Sequence, residues 1–545
     1  MKMNYELAIS ANTLNVREDL DHSTGEPEWV DNNPYLRILA PRFFSDASNS
    51  QWLNLPKRVS DLFLAAETKY SDHSVALLRA KSIERLIHKG AFLPNSPVMM
   101  NSENGGNVNL FACHVLSPPT TSKDFGIAEI IHNGCGGIGY DFSDLVDPIS
   151  ATYAIEKETE LLNPRRKRKA HSAVTLSYRH PRIADFIAMG KHLVITHTNV
   201  ELDDAFFESV KDRDSSALSL WRTLCNSIFH TGRPSISFGA EKSKRSDSKL
   251  INNVCGESLL RENESSLIGS LNLTKFVENG EFNFASFQEA ARLGLLCLDN
   301  LHDMQHHAST VIENNCLESR KIGIGVMGYS DALLLLNLRY GSPESLVFVD
   351  DLMSLLQSTL TSESEKLGAE RGFCNSELLP SEVGRRRNAS LMAIPANGTL
   401  SLLANVSGGI EPIFSYLTRQ NVQGVVVCQL QPTFAKILAA NNIDCKLVFS
   451  KLMAGENIQS IEEIAPPLRE ILVEANGLTT EDHIATQARF QRYIDGGISK
   501  TINLPSHATV SEIETAIFMA KETFCVGVSL YRNGSLQDQP TQAVS

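Results

Sequence analysis

Apolar positions along this chain follow two rhythms. The stretch Val59-Ser-Asp-Leu-Phe-Leu-Ala-Ala-Glu67 spaces its apolar residues at helical intervals, which predicts an amphipathic helix. Before it, Pro27, Pro34 and Pro41 make residues 1–50 read as irregular. Residues 1–90 as a whole are expected to form a mainly helical N-terminal region. From Phe92 onward short apolar runs alternate with helical patterns at 287–299, 331–338, 347–367 and 511–523. Such alternation predicts an α/β architecture with largely parallel strands over residues 91–535. Periodicity alone admits a doubly wound sheet and a barrel equally. Residues 536–545 are polar and read as a disordered tail, and no internal repeat is visible.

Composition narrows the class. With 545 residues, 42% of them hydrophobic, the chain can bury a large core. A charged fraction of 21% with scattered turn signals fits a globular protein. The formal net charge of -13 argues against nucleic acid or an anionic membrane as a partner. One basic run, Arg165-Arg-Lys-Arg-Lys169, stands against that background and reads first as a solvated loop. The start of the chain, Met1 to Ser10, lacks a signal-peptide apolar core, and no stretch approaches the ~20 apolar residues of a membrane span. The 10 cysteines are scattered without a CxxC, which disfavours a zinc ribbon, an iron–sulfur site or a disulfide-stapled secreted fold. The expected setting is a reducing cytoplasm.

Candidate chemistry centres on Asn253-Val-Cys-Gly-Glu257, an amide, a thiol and a carboxylate at two-residue spacing. In an extended segment such side chains project to one side, and Gly256 lets the backbone bend. Taken alone, the pattern also fits a buried structural cysteine in a polar loop. As a site it suits work on a polyol such as a ribose. Cys255 would exchange a hydrogen atom, Glu257 would take a hydroxyl proton, and Asn253 would hold the hydroxyl.

Other short motifs flank this one in a fixed order. They are Phe92-Leu-Pro-Asn-Ser-Pro-Val-Met-Met-Asn101, Phe111-Ala-Cys-His-Val-Leu116 and Gly134-Cys-Gly-Gly-Ile-Gly-Tyr-Asp-Phe-Ser143, followed after Cys255 by Gly269-Ser-Leu-Asn-Leu273 and Arg320-Lys-Ile-Gly-Ile-Gly-Val-Met-Gly328. Then come Ala396-Asn-Gly-Thr-Leu-Ser401, Ser407-Gly-Gly-Ile-Glu-Pro412, Ser499-Lys-Thr-Ile-Asn-Leu-Pro505 and Tyr531-Arg-Asn-Gly-Ser535. The series resembles the large catalytic chain of ribonucleotide reductases, most closely the adenosylcobalamin-dependent class II enzymes.

The resemblance implies a ten-stranded α/β barrel with a central finger loop carrying Cys255. It implies a thiyl radical on Cys255 that abstracts the ribose 3′ hydrogen, started by adenosylcobalamin. It places Cys113 as a redox thiol and Ser96 against the substrate, with the backbone at Ala112 and Gly137 lining the nucleoside pocket. The substrate's phosphates, as a diphosphate, would meet Ala396, Asn397, Gly398, Thr399, Leu400 and Ser401. A small-residue loop opening a helix there presents free N–H groups, although an ordinary capped helix has the same look. Ser529-Leu-Tyr531 holds one tyrosine where class I chains carry a pair, which favours cobalamin over a radical-generating subunit. A monomer or a homodimer is expected.

Three departures bear on the reaction. The second redox cysteine of the family aligns with Ser266, in Glu264-Ser-Ser-Leu-Ile-Gly-Ser-Leu-Asn-Leu273. The family's C-terminal cysteine pair has no counterpart in Gln539 to Ser545. The stretch between Tyr140 and Arg165 is short for an effector-binding surface. The basic run with Ala170-His-Ser-Ala-Val174 would stand in for the loop that contacts the base, and no N-terminal ATP-sensing domain is evident. These features leave three readings: a reductase with an atypical reductant (a thioredoxin-like protein, a small thiol or formate, or a moved cysteine such as Cys135), a thiyl-radical enzyme that dehydrates, epimerises or rearranges ribose, and an inactive nucleotide-binding relative.

Overall fold

The structure, a computed structural model, describes residues 33–44, 51–104, 108–163, 168–246, 248–380, 383–422, 425–535 and 541–543. The reading of residues 1–32, and of Arg165 to Lys167 in the basic run, lies outside the described residues. Three helices, Leu36–Phe43, Gln51–Glu67 and His73–His88, open the described chain. The first falls in a segment expected to be irregular. Its Leu36, Leu39, Ala40 and Phe43 form a buried stripe, and Phe44 packs edge-on against Trp52 at 4.6 Å. Pro41 removes one donor from a helix this short, which the apolar burial outweighs. The helices expected at 287–299 and 347–367 lie within Phe284–His302 and Pro343–Arg371, those expected at 331–338 and 511–523 overlap Tyr329–Leu335 and Val510–Glu522, and the first of these two ends three residues earlier than expected.

Strands β1 (Phe92–Pro94), β2 (Cys113–Val115), β3 (Gly137–Asp141), β4 (Ser172–Ser177), β5 (Thr196–Leu202) and β6 (Ser235–Phe238) come first. A short hairpin of β7 (Ile251–Asn252) and β8 (Leu259–Leu260) follows, then β9 (Glu264–Asn272). A surface hairpin, β10 (Val277–Glu278) and β11 (Glu281–Phe282), precedes β12 (Ile322–Met327). Later come β13 (Leu417–Val422), β14 (Val425–Leu430), β15 (Thr501–Leu504), β16 (Gly527–Arg532) and β17 (Thr541–Ala543).

Pairing turns these strands into two half-barrels. β2, β3, β4, β5 and β6 are mutually parallel. In the other half β9 pairs in parallel with β12, and β15 with β16. The parallel bridges Ile324↔Met392 and Ile394↔Ile498 lay the segment 392–394 between them as a fifth strand. Antiparallel joins, Cys113↔Ser266 in β2–β9 and Ile236↔Val528 in β16–β6, close the ring. β1 continues the wall beside β2 on β9. The result is the expected ten-stranded α/β barrel, with helices packed outside it. Parallel strands enclosed on both faces are buried throughout, as in β9 and β12.

A second apolar cluster, including Tyr416, Phe434, Leu438, Val448 and Ile461, lies under β13, β14 and the helices Pro432–Ala440 and Cys445–Met453. β17, from the polar C-terminal segment, pairs with β13. A buried ionic group ties the N-terminal helices to the barrel. Asp299 accepts from Arg320 Nε at 2.8 Å and Arg387 Nε at 2.7 Å, and Glu67 pairs with Arg371 at 3.0 Å. Among the described residues no helix is long and apolar enough to cross a membrane.

Candidate active site

The β7–β8 hairpin runs up the inside of the barrel because glycines on both walls leave room for it. A Cβ at Gly139 would stand 2.2 Å from Asn252 O, and one at Gly497 2.0 Å from Gly256 O. Only glycine allows backbones this close. Gly497 N–H donates to Glu257 O at 2.7 Å, and Gly137 meets Val254, whose Cγ2 lies 3.0 Å from where a Cβ would be. At the base Lys249 pairs with Asp141 at 2.9 Å, and Lys321 Nζ donates to Leu259 O at 3.0 Å. Buried Lys242, paired with Glu201, donates to Asn252 Oδ1 at 3.3 Å.

The tip is a tight turn. Asn253 N–H donates to Ser258 O at 3.1 Å, Ser258 N–H returns to Asn253 Oδ1 at 3.1 Å, and Gly256 takes φ 78°. Convergence of the three groups therefore arises from the turn, not from the alternation of an extended strand. The positive φ at Gly256 folds Glu257 back beneath the loop, where it is 4% exposed, beside Asn253 at 3%. Cys255 alone faces open space.

Behind the tip, buried Cys113 donates its thiol hydrogen to Glu257 Oε1 at 3.4 Å. Glu257 Oε2 has no hydrogen-bond partner among the described residues. Burial pushes the Glu257 carboxyl upward, opposed by its own backbone amide, Asn253, Cys113 and Arg168. Desolvation within the barrel, then the Glu257 charge, also raises both thiols, Cys255 included although its side chain opens on the cavity. Cys113 stands well above the usual range, and Cys255 is pushed up to about 12 with Arg168 opposing. Both shifts favour the S–H form over the thiolate.

Of the other sequence-predicted residues, Ser266 sits opposite Cys113 in register, its hydroxyl donating to Lys321 O at 3.3 Å. Buried Ser96 opens the helix Ser96–Asn101, whose cap Asn95 accepts from Val98 N–H at 3.0 Å. Ala112 O accepts from Gly137 N–H at 2.9 Å, so these two join β2 to β3. The space above Gly137 is used by Val254 of the hairpin itself. Residues 396–401 leave the 392–394 strand on the tip side of the barrel. There Asn397, at φ 56°, donates to Ser270 Oγ at 2.9 Å and precedes the helix Gly398–Ala404. A Cβ on Gly398 would meet nothing within 4 Å.

A cavity of about 790 Å³ lies beside the tip, and its lining includes Cys255, Asn253, Ser401, His197, Asn199 and Tyr531. Tyr531 Oη is buried without a partner among the described residues. His197 and Asn199 were missed because β5, Thr-His-Thr-Asn-Val-Glu-Leu, reads as a polar segment and not as a strand, whereas Tyr531, on β16, falls in a quoted motif. Two quoted motifs meet at this cavity, where buried Lys500 binds Glu411 at 3.1 Å and His483 Nδ1 at 3.0 Å. Arg168 donates to Cys135 O at 2.9 Å, so part of the basic run serves the site rather than open solvent.

Comparison with known proteins agrees with this geometry. Residues 200–377 and 381–531 match the family model described as ribonucleotide reductase, barrel domain. The vitamin B12-dependent ribonucleoside-diphosphate reductase of Thermoplasma acidophilum is 29% identical over 493 residues, which is 82% of this chain and 64% of that protein. This chain thus spans under two thirds of that relative's length. The enzyme of the same name from Mycobacterium tuberculosis is 26% identical over 522 residues, covering 87% of this chain and 75% of the relative. The solved class Id ribonucleotide reductase alpha subunit of Actinobacillus ureae shares the fold, with a TM-score of 0.76 at 19% identity, over 93% of this chain and 98% of that one. The fold and site define a barrel built to carry a thiol on an internal hairpin. The chain belongs to the ribonucleotide reductase barrel-domain family.

Proposed function

We propose that this chain reduces ribonucleotides, as diphosphates, to 2′-deoxyribonucleotides through a thiyl radical on Cys255, with adenosylcobalamin as cofactor. The observation that carries the reading is the position of Cys255 at the tip of the internal hairpin, backed by Glu257, Asn253 and Cys113. Relatives named as vitamin B12-dependent ribonucleoside-diphosphate reductases support the substrate and the cofactor. So does the single tyrosine in Ser529-Leu-Tyr531.

The cavity beside Cys255 suits the nucleoside part of such a cofactor, since Tyr531 Oη awaits a partner and His197 and Asn199 add polar groups. When bound, the cofactor would supply the radical chemistry. Cys255 would exchange a hydrogen atom with the ribose 3′ position. Glu257, its carboxyl raised toward neutrality by burial, would take and return a hydroxyl proton, and Asn253 would hold that hydroxyl. Cys113 would deliver a hydrogen atom from the other side. Ser96 would help hold the substrate, residues 396–401 would hold its phosphates, and the backbone at Ala112 and Gly137 would flank the nucleoside.

One observation favours a second reading. Ser266 faces Cys113 where a disulfide partner is needed, and dehydration, epimerisation or rearrangement of ribose requires none. Product analysis separates the two readings. The protein is incubated with adenosylcobalamin, a nucleotide panel, and dithiothreitol or formate. Deoxynucleotide supports reduction, whereas a released base or an isomerised sugar supports the second reading. No nucleotide conversion under any condition overturns both.

A further inference from the structure

The cavity wall holds an amide that the mechanism above does not use. Asn252 ends β7, and its side chain lines the cavity together with Cys255 and Gly256. Its Oδ1 accepts from buried Lys242 Nζ at 3.3 Å. An ammonium has hydrogens to give and no lone pair to offer, so it fixes which way the amide lies. The oxygen faces Lys242, and the NH2 must face the other way. That other way is the tip. Asn252 Nδ2 lies 3.7 Å from where a Cβ on Gly256 would stand, and apart from the chain neighbours of Gly256 no other described atom comes within 4 Å of that point. No acceptor among the described residues takes the Nδ2 hydrogens. Glu201, two residues along β5 from cavity-lining Asn199, pairs with Lys242, so the cation that aims the amide is compensated inside the barrel.

We propose that Asn252 is a further substrate-contacting residue, whose NH2 donates to a ribose hydroxyl beside Cys255, and that Lys242 is the positioning residue that aims it. This rests on the reading above that a ribonucleoside diphosphate binds with its ribose at Cys255. Ribose presents two neighbouring hydroxyls, and the oxygen of each can accept. Asn253, its Oδ1 tied into the tip turn by Ser258 N–H at 3.1 Å, serves one of them. Asn252 serves the other. A donor fixed in this way needs an oxygen opposite it, and a site built to bond a hydroxyl rejects the analogue that lacks it.

Isothermal titration of the full chain with a ribonucleoside diphosphate and its 2′-deoxy and 3′-deoxy analogues tests the contact without cofactor or turnover. All three ligands carry the same phosphates, so ratios of Kd isolate the hydroxyls. Asn252→Asp is the decisive variant. Its carboxylate has the shape of the amide and keeps the bond to Lys242, so the hairpin stays anchored, but it has no N–H to give. The parent's preference for the ribonucleotide over one of the two analogues should fall by about 5- to 10-fold in Asn252→Asp and in Asn252→Ala. The melting temperature of Asn252→Asp should stay at or above the parent's. Lys242→Met, with Asn252 intact, should lower the same preference, because the amide is then free to turn.

Preferences unchanged for both analogues in both Asn252 variants overturn the contact and leave Asn252 as an anchor of the hairpin. A folded Lys242→Met with the parental preference overturns the positioning role. A parent that binds no ribonucleoside diphosphate overturns the substrate reading and this contact with it.

Discussion

Cys113 and Ser266 are directly paired across the antiparallel join of the two half-barrels. Directly opposed residues hold their Cβ atoms about 4.5–5.5 Å apart, near the 3.5–4.5 Å a disulfide uses. Ser266→Cys should therefore oxidise spontaneously to a disulfide with Cys113 after a small strand adjustment. Non-reducing peptide mapping checks this, and the oxidised variant should gain on the order of 2–4 kcal/mol against urea unfolding.

Cys255→Ser should fold like the parent, because the side chain faces the cavity and supports no packing. Its turnover should fall to background. Parallel thermal melts and product assays decide. Substantial residual conversion would remove Cys255 from the centre of the mechanism.

Gly497→Ala places a methyl 2.0 Å from Gly256 O, so the hairpin must shift. The expected cost is about 1–3 kcal/mol of stability. The shift should also lower kcat by roughly 100-fold, the scale expected from misplacing the reactive atom by about 1 Å. A variant with parental kcat would show that the hairpin does not depend on this wall.

Gly398→Glu should act on binding alone. Space around Gly398 is open, so the fold should tolerate the side chain. Its charge should repel phosphates, raising the Kd for a nucleoside diphosphate by 10-fold or more while leaving that for the free nucleoside near the parental value. Isothermal titration separates the two. An equal effect on both ligands would place the phosphates elsewhere.

Asp299 gives the pH prediction. Burial alone would raise its carboxyl, but Arg320 and Arg387 hold it far below the usual carboxylate range. A depressed folded value stabilises the protein above the unfolded pKa of about 4 and loses that contribution as pH falls below it. Asp299→Asn should cost about 3–5 kcal/mol at neutral pH by stranding buried arginines. It should also flatten the acid limb of a stability–pH curve measured by urea melts between pH 3 and 7. An unchanged acid limb would assign acid sensitivity to other carboxylates.

Local motifs carried much of this site in the sequence. The amide–thiol–carboxylate spacing named the tip, and Ser266 could be aligned before any pairing was known, because it falls just before the family-like motif Gly269-Ser-Leu-Asn-Leu273. The part of the cavity wall on β5 was not legible. His197 and Asn199 come from a strand distant in sequence from the tip, and a polar strand facing an internal cavity has no apolar alternation to announce it. Gly139 and Gly497 were silent for a related reason, since a glycine shows only that something could approach, not that a hairpin does. The turn at Gly256 likewise replaced the extended geometry that spacing alone suggested.

The hairpin precedes, in order of synthesis, half of the wall that surrounds it. β2 to β6 are complete before residue 251 emerges, but the 392–394 strand, β15 and β16 follow much later, and the second half meets itself through the single bridges Ile324↔Met392 and Ile394↔Ile498. The first half-barrel alone already offers the hairpin one wall, and the ring closes over it only when β16, from Gly527 onward, pairs with β6. The second wall around the hairpin that carries Cys255 therefore depends on the last tenth or so of the chain, and a truncation before β16 would leave the ring open beside it.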